Sequence, residues 1–139
     1  MDTNSGVVGF SRVALWSGRV LGFLVALLMI FSAVMKLLKP AKIVEGFAHF
    51  GYPESTIIPL GIAELVCAIL YLIPQTSVLG AVLLTGYLGG ATATNLRVGD
   101  AYFPPVIVGI VAWGALFLRD RRLRALLPLT TCSSKRVQP

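Results

Sequence analysis

Three charged side chains in apolar surroundings are the residues of this sequence best suited to chemistry. Glu64 lies inside the apolar stretch 56–73, while Lys36 and Arg97 lie at the ends of two others, 20–38 and 78–96. At 1.5 Å per residue, Glu64 would lie about 12 Å inside a helix that starts at residue 56. A buried carboxyl group suits general acid–base work, so Glu64 is the candidate catalytic residue.

The predicted depths bring these three charges to one level, because both cations end their apolar stretches on the side from which the second stretch enters. An ionised acid at mid-bilayer depth costs roughly 2.5–3.5 kcal/mol on insertion scales. Lys36 or Arg97, reaching inward, would keep Glu64 charged.

Residues 41–50 are predicted to form a short amphipathic helix over this level. Ile43, Val44, Phe47 and Phe50 share one helical stripe, and the charged residues lie off it. We therefore predict a ligand-binding pocket that opens on this side and is roofed by residues 41–50. Its predicted lining is Lys36, His49, Glu64, Tyr87, Thr94, Asn95 and Arg97.

The elements that position these residues are four long apolar stretches. The chain has 139 residues, of which 56% are hydrophobic and only 13% charged, and its mean hydropathy is +0.83. The stretches 20–38, 56–73, 78–96 and 102–118 are each close to the ~20 residues that cross a bilayer as a helix. The predicted fold is an all-α membrane protein, a four-transmembrane-helix bundle with a short amphipathic helix between helices 1 and 2. Residues 1–128 would form a single transmembrane domain and residues 129–139 a polar cytoplasmic tail.

Small residues in these stretches predict where the helices approach one another. Membrane helices associate through van der Waals contacts that small side chains make possible, so the spacing of Gly86 and Gly90 predicts a packing face. Polar or small residues on both sides of the third stretch predict that it is the central helix of the bundle. The predicted packing glycines are Gly22, Gly61, Gly86, Gly89 and Gly90.

The basic residues predict the orientation. Of the 12 Lys and Arg residues, eight fall on the side of the termini and of the turn at 74–77, and four on the other side. By the positive-inside rule both termini should be cytoplasmic. The basic run at 119–124 is expected to anchor this topology against anionic lipid, and no nucleic-acid partner is expected.

Neither cysteines nor histidine indicate a cofactor site. Cys67 and Cys132 are predicted at different levels, and the chain has one histidine. This pattern gives no disulfide, no protein-ligated metal and no haem.

The same residues carry a family resemblance. The run ELVCAILYLIPQTSVLGAVLLTGYLGGATATNLRVGD at 64–100 resembles the DoxX-like family of small four-helix bacterial membrane proteins. SAVMKLLKP at 32–40, GFAHFGYP at 46–53 and LRDRRLRALLP at 118–128 support it. The resemblance implies a bacterial inner-membrane protein and places Lys36, Glu64 and Arg97 at family-typical positions, without an established catalytic role. Where this chain has Asn95, the family often has histidine.

The resemblance also implies association with other proteins at the membrane. The name-giving relatives accompany a thiosulfate:quinone oxidoreductase, and others are linked to oxidative-stress and thiol-handling complexes. From these features we expect a binding or accessory subunit that handles a quinone or another lipophilic small molecule, with a soluble redox partner or a homo-oligomer also compatible with the sequence. Two alternatives stay open: an acid–base enzyme of isomerase or cyclase type that uses Glu64, and a purely structural membrane partner.

Overall fold

The computed structural model describes residues 12–120 and 122–123, and the secondary structure of this part of the chain consists of helices joined by short turns, without strands. The α-helices are α1 (Arg12–Leu38), α2 (Ala41–His49), α3 (Ile57–Leu72), α4 (Ser77–Val98) and α5 (Phe103–Arg119). A single 3₁₀ turn, Glu54–Thr56, leads into α3. The predicted all-α fold, with a short helix between the first two long ones, is confirmed.

Three segments of this part of the chain are long and apolar enough to cross a bilayer: α1, α4, and α3 together with the turn before it. The fourth apolar helix, α5, has 17 residues, which is the lower end of the range of about 17–25 residues found in membrane spans. It packs against α1 and α4 and therefore shares their depth in the bundle.

Particular residues end the helices at the turns that connect them. Lys39 adopts a positive φ of 48° before Pro40, which cannot continue α1. Gly99, with φ 79°, ends α4 in the left-handed conformation that glycine adopts without strain. The amides of Gly99 and Asp100 then donate to the carbonyls of Leu96 and Asn95, which would otherwise lack partners at the helix end.

The four long helices form a ring in which each one packs against two neighbours, in the order α1, α3, α4, α5 and back to α1. The prediction that the third stretch is the central helix is therefore wrong, because α4 packs against only α3 and α5 among the long helices with substantial contacts. Its threonines explain the misleading pattern, since Thr85 and Thr92 donate to carbonyls one turn back in α4 itself. Large apolar side chains point outward all around the ring, as lipid-facing surfaces require, for example Phe23, Phe31, Ile62, Val82 and Ile110.

Glycines do allow close helix contacts, but at positions other than the predicted pair. A Cβ added at Gly18 would lie 2.7 Å from the Leu118 Cβ, so α1 and α5 cross here. Gly22 and Gly61 also lie at tight crossings, and a Cβ at Gly80 would overlap the backbone at Tyr71.

At Gly86, Gly89 and Gly90 an added Cβ would meet nothing within 4 Å, so their prediction as packing glycines is wrong. The small residues on α4 therefore leave space open where close packing was expected.

Candidate functional site

A buried ion pair joins the end of α1 to the middle of α3. The Lys36 Nζ lies 2.7 Å from the Glu64 Oε2, and the Glu64 side chain is only 2% exposed. Lys36 also donates to the Ser32 hydroxyl, 2.8 Å away and one turn earlier in α1. Gly61 allows this pairing, because a side chain there would press against the Lys36 Cβ and hold the two helices apart.

Tyr87 brings α4 to the same carboxylate. Its hydroxyl donates to the Glu64 Oε2 over 3.2 Å, and the Lys36 ammonium lies 5.9 Å from the centre of its ring. Both described hydrogen bonds to the carboxylate therefore end on Oε2. Within residues 12–120, no hydrogen-bond donor contacts Oε1, although the residue is buried. A buried carboxylate oxygen of this kind needs a donor from a ligand or from water.

Glu64 lines a cavity of about 610 Å³, which we call the main cavity and which is bounded by all four long helices. Gly86 and Gly90 line it, so the missing side chains on α4 create its volume. The remaining walls are largely apolar and come from all four long helices, as Leu28, Met29, Leu60, Leu88, Ala91, Pro104, Pro105 and Val108.

Residues 41–52, which we call the roof segment, close one end of the main cavity. Phe47, Phe50 and Tyr52 from this segment contribute to the lining. The Tyr52 hydroxyl shares a hydrogen bond of 3.0 Å with the Thr94 Oγ1 on α4. The amphipathic helix was predicted to lie over the pocket, and α2 does lie there.

The structure brings five of the seven predicted pocket residues together at the main cavity. They are Lys36, Glu64, Tyr87, Thr94 and Asn95. No hydrogen bond to the Asn95 side chain occurs among the residues that the structure describes, so its amide is available to a bound molecule.

Arg97 and His49 do not face Glu64, and their prediction as lining residues is wrong. Arg97 donates to the carbonyl of Phe50 and lies over the Tyr52 ring, 5.6 Å from its centre. His49 lies 3.0 Å from the Asp100 carboxylate at the exposed end of the bundle. Both residues lie where solvent can reach them. Because Glu64 is already paired with Lys36, a second cation beside it would lose its hydration without gaining a counter-charge of its own. They hold the roof segment to the end of α4.

Sequence reasoning missed two polar residues of this site, Ser32 and Tyr52. Ser32 lies one helical turn before Lys36, a spacing that places both side chains on one face. Tyr52 lies in the run GFAHFGYP at 46–53, and no site role is predicted for it from the sequence. A tyrosine directly after an amphipathic roof, within reach of a threonine on the third span, was the signal available.

The arrangement suits an elongated molecule that is apolar over most of its length and polar at one end. The ammonium of Lys36 and the hydroxyl of Tyr87 supply donors, and Glu64 supplies an acceptor, all at the wall of the main cavity. No group of three or more potential metal ligands occurs in the described part of the chain.

Comparison with known proteins places the chain in a family without adding a relative of established activity. No curated protein and no solved structure matches it. The model of the DoxX-like family matches residues 20–117, a range that begins in α1 and includes the ion pair, the roof segment and almost all of α5. This all-helical membrane protein therefore belongs to the DoxX-like family.

Proposed function

We propose that this member of the DoxX-like family binds a lipophilic small molecule with a quinone-like head group in the main cavity. The observation that carries the proposal is a large, mainly apolar cavity with one polar end. At that end the Glu64 Oε1 has no hydrogen-bond donor among the residues that the structure describes. Binding sites for small molecules in proteins commonly have volumes of about 300–1,000 Å³ and a few well-placed polar groups.

The polar end matches both redox states of a quinone. A quinone carbonyl accepts hydrogen bonds, and the Lys36 ammonium has a third proton beyond those given to Ser32 and Glu64. A quinol hydroxyl donates, and the Glu64 Oε1 would accept that bond. Asn95 can serve either state, because its amide both donates and accepts.

The cellular role in this proposal is that of an accessory subunit of a redox-linked complex in the bacterial inner membrane. The support for that role is membership of the DoxX-like family, together with a site that suits a membrane-soluble electron carrier. A soluble redox partner would exchange electrons with the bound quinone. The polypeptide's own part is to bind and orient the head group.

A second candidate is an acid–base enzyme that acts on a lipophilic substrate. Its supporting observation is that the Lys36 ammonium and the Tyr87 hydroxyl both contact one buried carboxylate at a cavity. Proton transfer by Glu64 through Oε1 would isomerise or cyclise a bound substrate without a cofactor. This candidate predicts turnover, whereas the binding proposal predicts recovery of the unchanged ligand.

The test is equilibrium binding of a short-chain quinone and of its quinol to the purified protein in detergent, for wild type and Glu64→Gln. A hydrogen bond to a charged group contributes about 1.5–3 kcal/mol, so the quinol should bind Glu64→Gln roughly ten-fold or more weakly. Glu54→Gln is the matched control, because Glu54 is an exposed acid paired with Lys39 outside the cavity.

Equal binding of the quinol to wild type and Glu64→Gln would contradict the proposed head-group contact. Mass spectrometry of the recovered ligand separates the two candidates. A wild-type-dependent change in its structure that Glu64→Gln abolishes would favour the enzyme instead.

A further inference from the structure

A second cavity, of about 560 Å³, lies at the opposite end of the bundle from the roof segment. We call it the arginine cavity. Its walls come from the start of α1, the turn between α3 and α4, and the end of α5. They comprise Arg19, Phe23, Leu72, Pro74, Gln75, Ser77, Arg119, Asp120 and Arg122. Nothing in the main cavity or in its proposed ligand uses these residues.

The cavity carries a net positive charge, and among the described residues its arginines form no ion pair. Three arginines line it and one acid, Asp120. Asp120 is engaged by backbone, since its Oδ1 accepts hydrogen bonds from the amides of Arg122 and Leu123. Neither it nor another carboxylate in residues 12–120 forms an ion pair with Arg19, Arg119 or Arg122.

One of these arginines is held rigidly. The Arg119 guanidinium donates to the carbonyl of Tyr71 over 2.6 Å and lies 4.7 Å from the centre of the Tyr71 ring. Gly22 makes room for it, since a Cβ there would lie 3.1 Å from the Arg119 Nη1. Arg119 thus presents a fixed positive charge between α1, α3 and α5, and the exposed Arg19 and Arg122 flank the opening.

Apolar side chains also line the cavity, since Leu72 and the outward-pointing, lipid-exposed Phe23 contribute to its wall. One held arginine and two exposed ones beside apolar side chains, at the end of a membrane bundle, match a phosphate group that carries acyl chains. Basic pockets between membrane helices bind anionic lipid head groups by the same chemistry. We propose that the arginine cavity binds the phosphate head group of an anionic phospholipid, with an acyl chain against Phe23 and Leu72.

The test is native mass spectrometry of the full chain from detergent with added phosphatidylglycerol or phosphatidylcholine of the same acyl chains. Phosphatidylglycerol should remain bound preferentially to the wild type. The double variant Arg19→Gln/Arg122→Gln should lose this preference, by about five-fold for each arginine removed. The control Arg12→Gln/Lys42→Gln removes the same charge from exposed positions outside the cavity and should retain it. Glu64→Gln should also retain it, since the two cavities lie at opposite ends.

The unfolding temperature of the wild type provides a readout that needs no variant. Phosphatidylglycerol should raise it, whereas inorganic phosphate and phosphatidylcholine at matched phosphate concentration should not. Equal protection by inorganic phosphate would show a site for the bare ion, and equal protection by phosphatidylcholine would show no recognition of net charge. Either result, or unchanged phosphatidylglycerol retention in Arg19→Gln/Arg122→Gln, would overturn the proposal.

Discussion

The carboxylate of Glu64 has two oxygens with different surroundings, and this difference carries the functional proposal. Oε2 receives Lys36 and Tyr87, while Oε1 has no donor among the residues that the structure describes, and Glu64 lines the main cavity. The protein satisfies the hydrogen-bonding capacity of one oxygen, and the other oxygen remains for a ligand. A purely structural ion pair gains nothing from a cavity beside it.

The ion pair can be tested by removing one or both partners. Lys36→Met should destabilise the protein by about 3–5 kcal/mol, because it leaves Glu64 buried without its cation. The double variant Lys36→Met/Glu64→Leu should recover most of that loss, since two apolar side chains of similar volume replace the pair. Unfolding titrations of the three proteins in detergent measure both values. Equal stability of Lys36→Met and wild type would show that Glu64 is neutral or solvated.

At the scale of the helices, glycines serve two opposite purposes that sequence alone did not separate. Gly18 and Gly22 bring α1 and α5 together, whereas Gly86 and Gly90 hold space open on α4. The spacing of small residues is the same in both pairs. Which helix lies opposite each pair depends on the order of helices around the ring, and a local pattern does not contain that order.

The tight crossing of α1 and α5 predicts a stability effect at Gly18. Gly18→Leu should destabilise the protein by about 1–3 kcal/mol, because overpacking forces the helices apart. Gly114→Leu on α5 is the control, since a Cβ there meets nothing within 4 Å. Thermal unfolding in detergent should separate the two variants, and comparable unfolding temperatures would show that the crossing is loose.

The open face of α4 predicts a ligand-binding effect instead. Gly90→Leu should fill part of the main cavity and weaken quinone binding about ten-fold or more, while the protein remains folded. Gly89→Leu is matched in size and lies next to it, but it lines a separate outer groove with Pro105 and Trp113. The contrast is measured as the ratio of the two dissociation constants. Loss of folding in Gly90→Leu alone would restore the packing role that the sequence suggested.

The elements and the central pair were predictable, and the finer site was less so. Long apolar stretches specify membrane helices because each must satisfy its own backbone, and the depth of Glu64 and Lys36 follows from the helical rise. The prediction that Arg97 lines the pocket was wrong for a physical reason, because the depth of a residue along a helix does not determine the direction in which its side chain points around the helix axis. For a cation in the last turn of α4, reaching the roof segment and solvent costs less desolvation free energy than reaching the interior.

For the molecule as a whole, the distribution of basic residues predicts an orientation that is open to test. The arginine cavity and the turn at 74–77 lie at the end of the bundle that the positive-inside rule assigns to the cytoplasm. In a Cys132→Ser background, Gln75→Cys should resist an impermeant thiol reagent in intact cells, whereas Glu54→Cys should react. The predicted cytoplasmic tail, 129–139, lies outside the described residues. The reverse labelling pattern would invert the orientation.

The ion pair between α1 and α3 also has a consequence for how the chain enters the membrane during synthesis. Lys36 leaves the ribosome first and lies in the last turn of its helix, so its ammonium can stay at the interface until a partner arrives. Glu64 has no such freedom, because it lies in the middle of α3, and an unpaired acid there would cost about 2.5–3.5 kcal/mol on insertion. We therefore expect the first two spans to be released into lipid together, as a hairpin, with the Lys36 ammonium pairing with the Glu64 carboxylate as the second span is inserted.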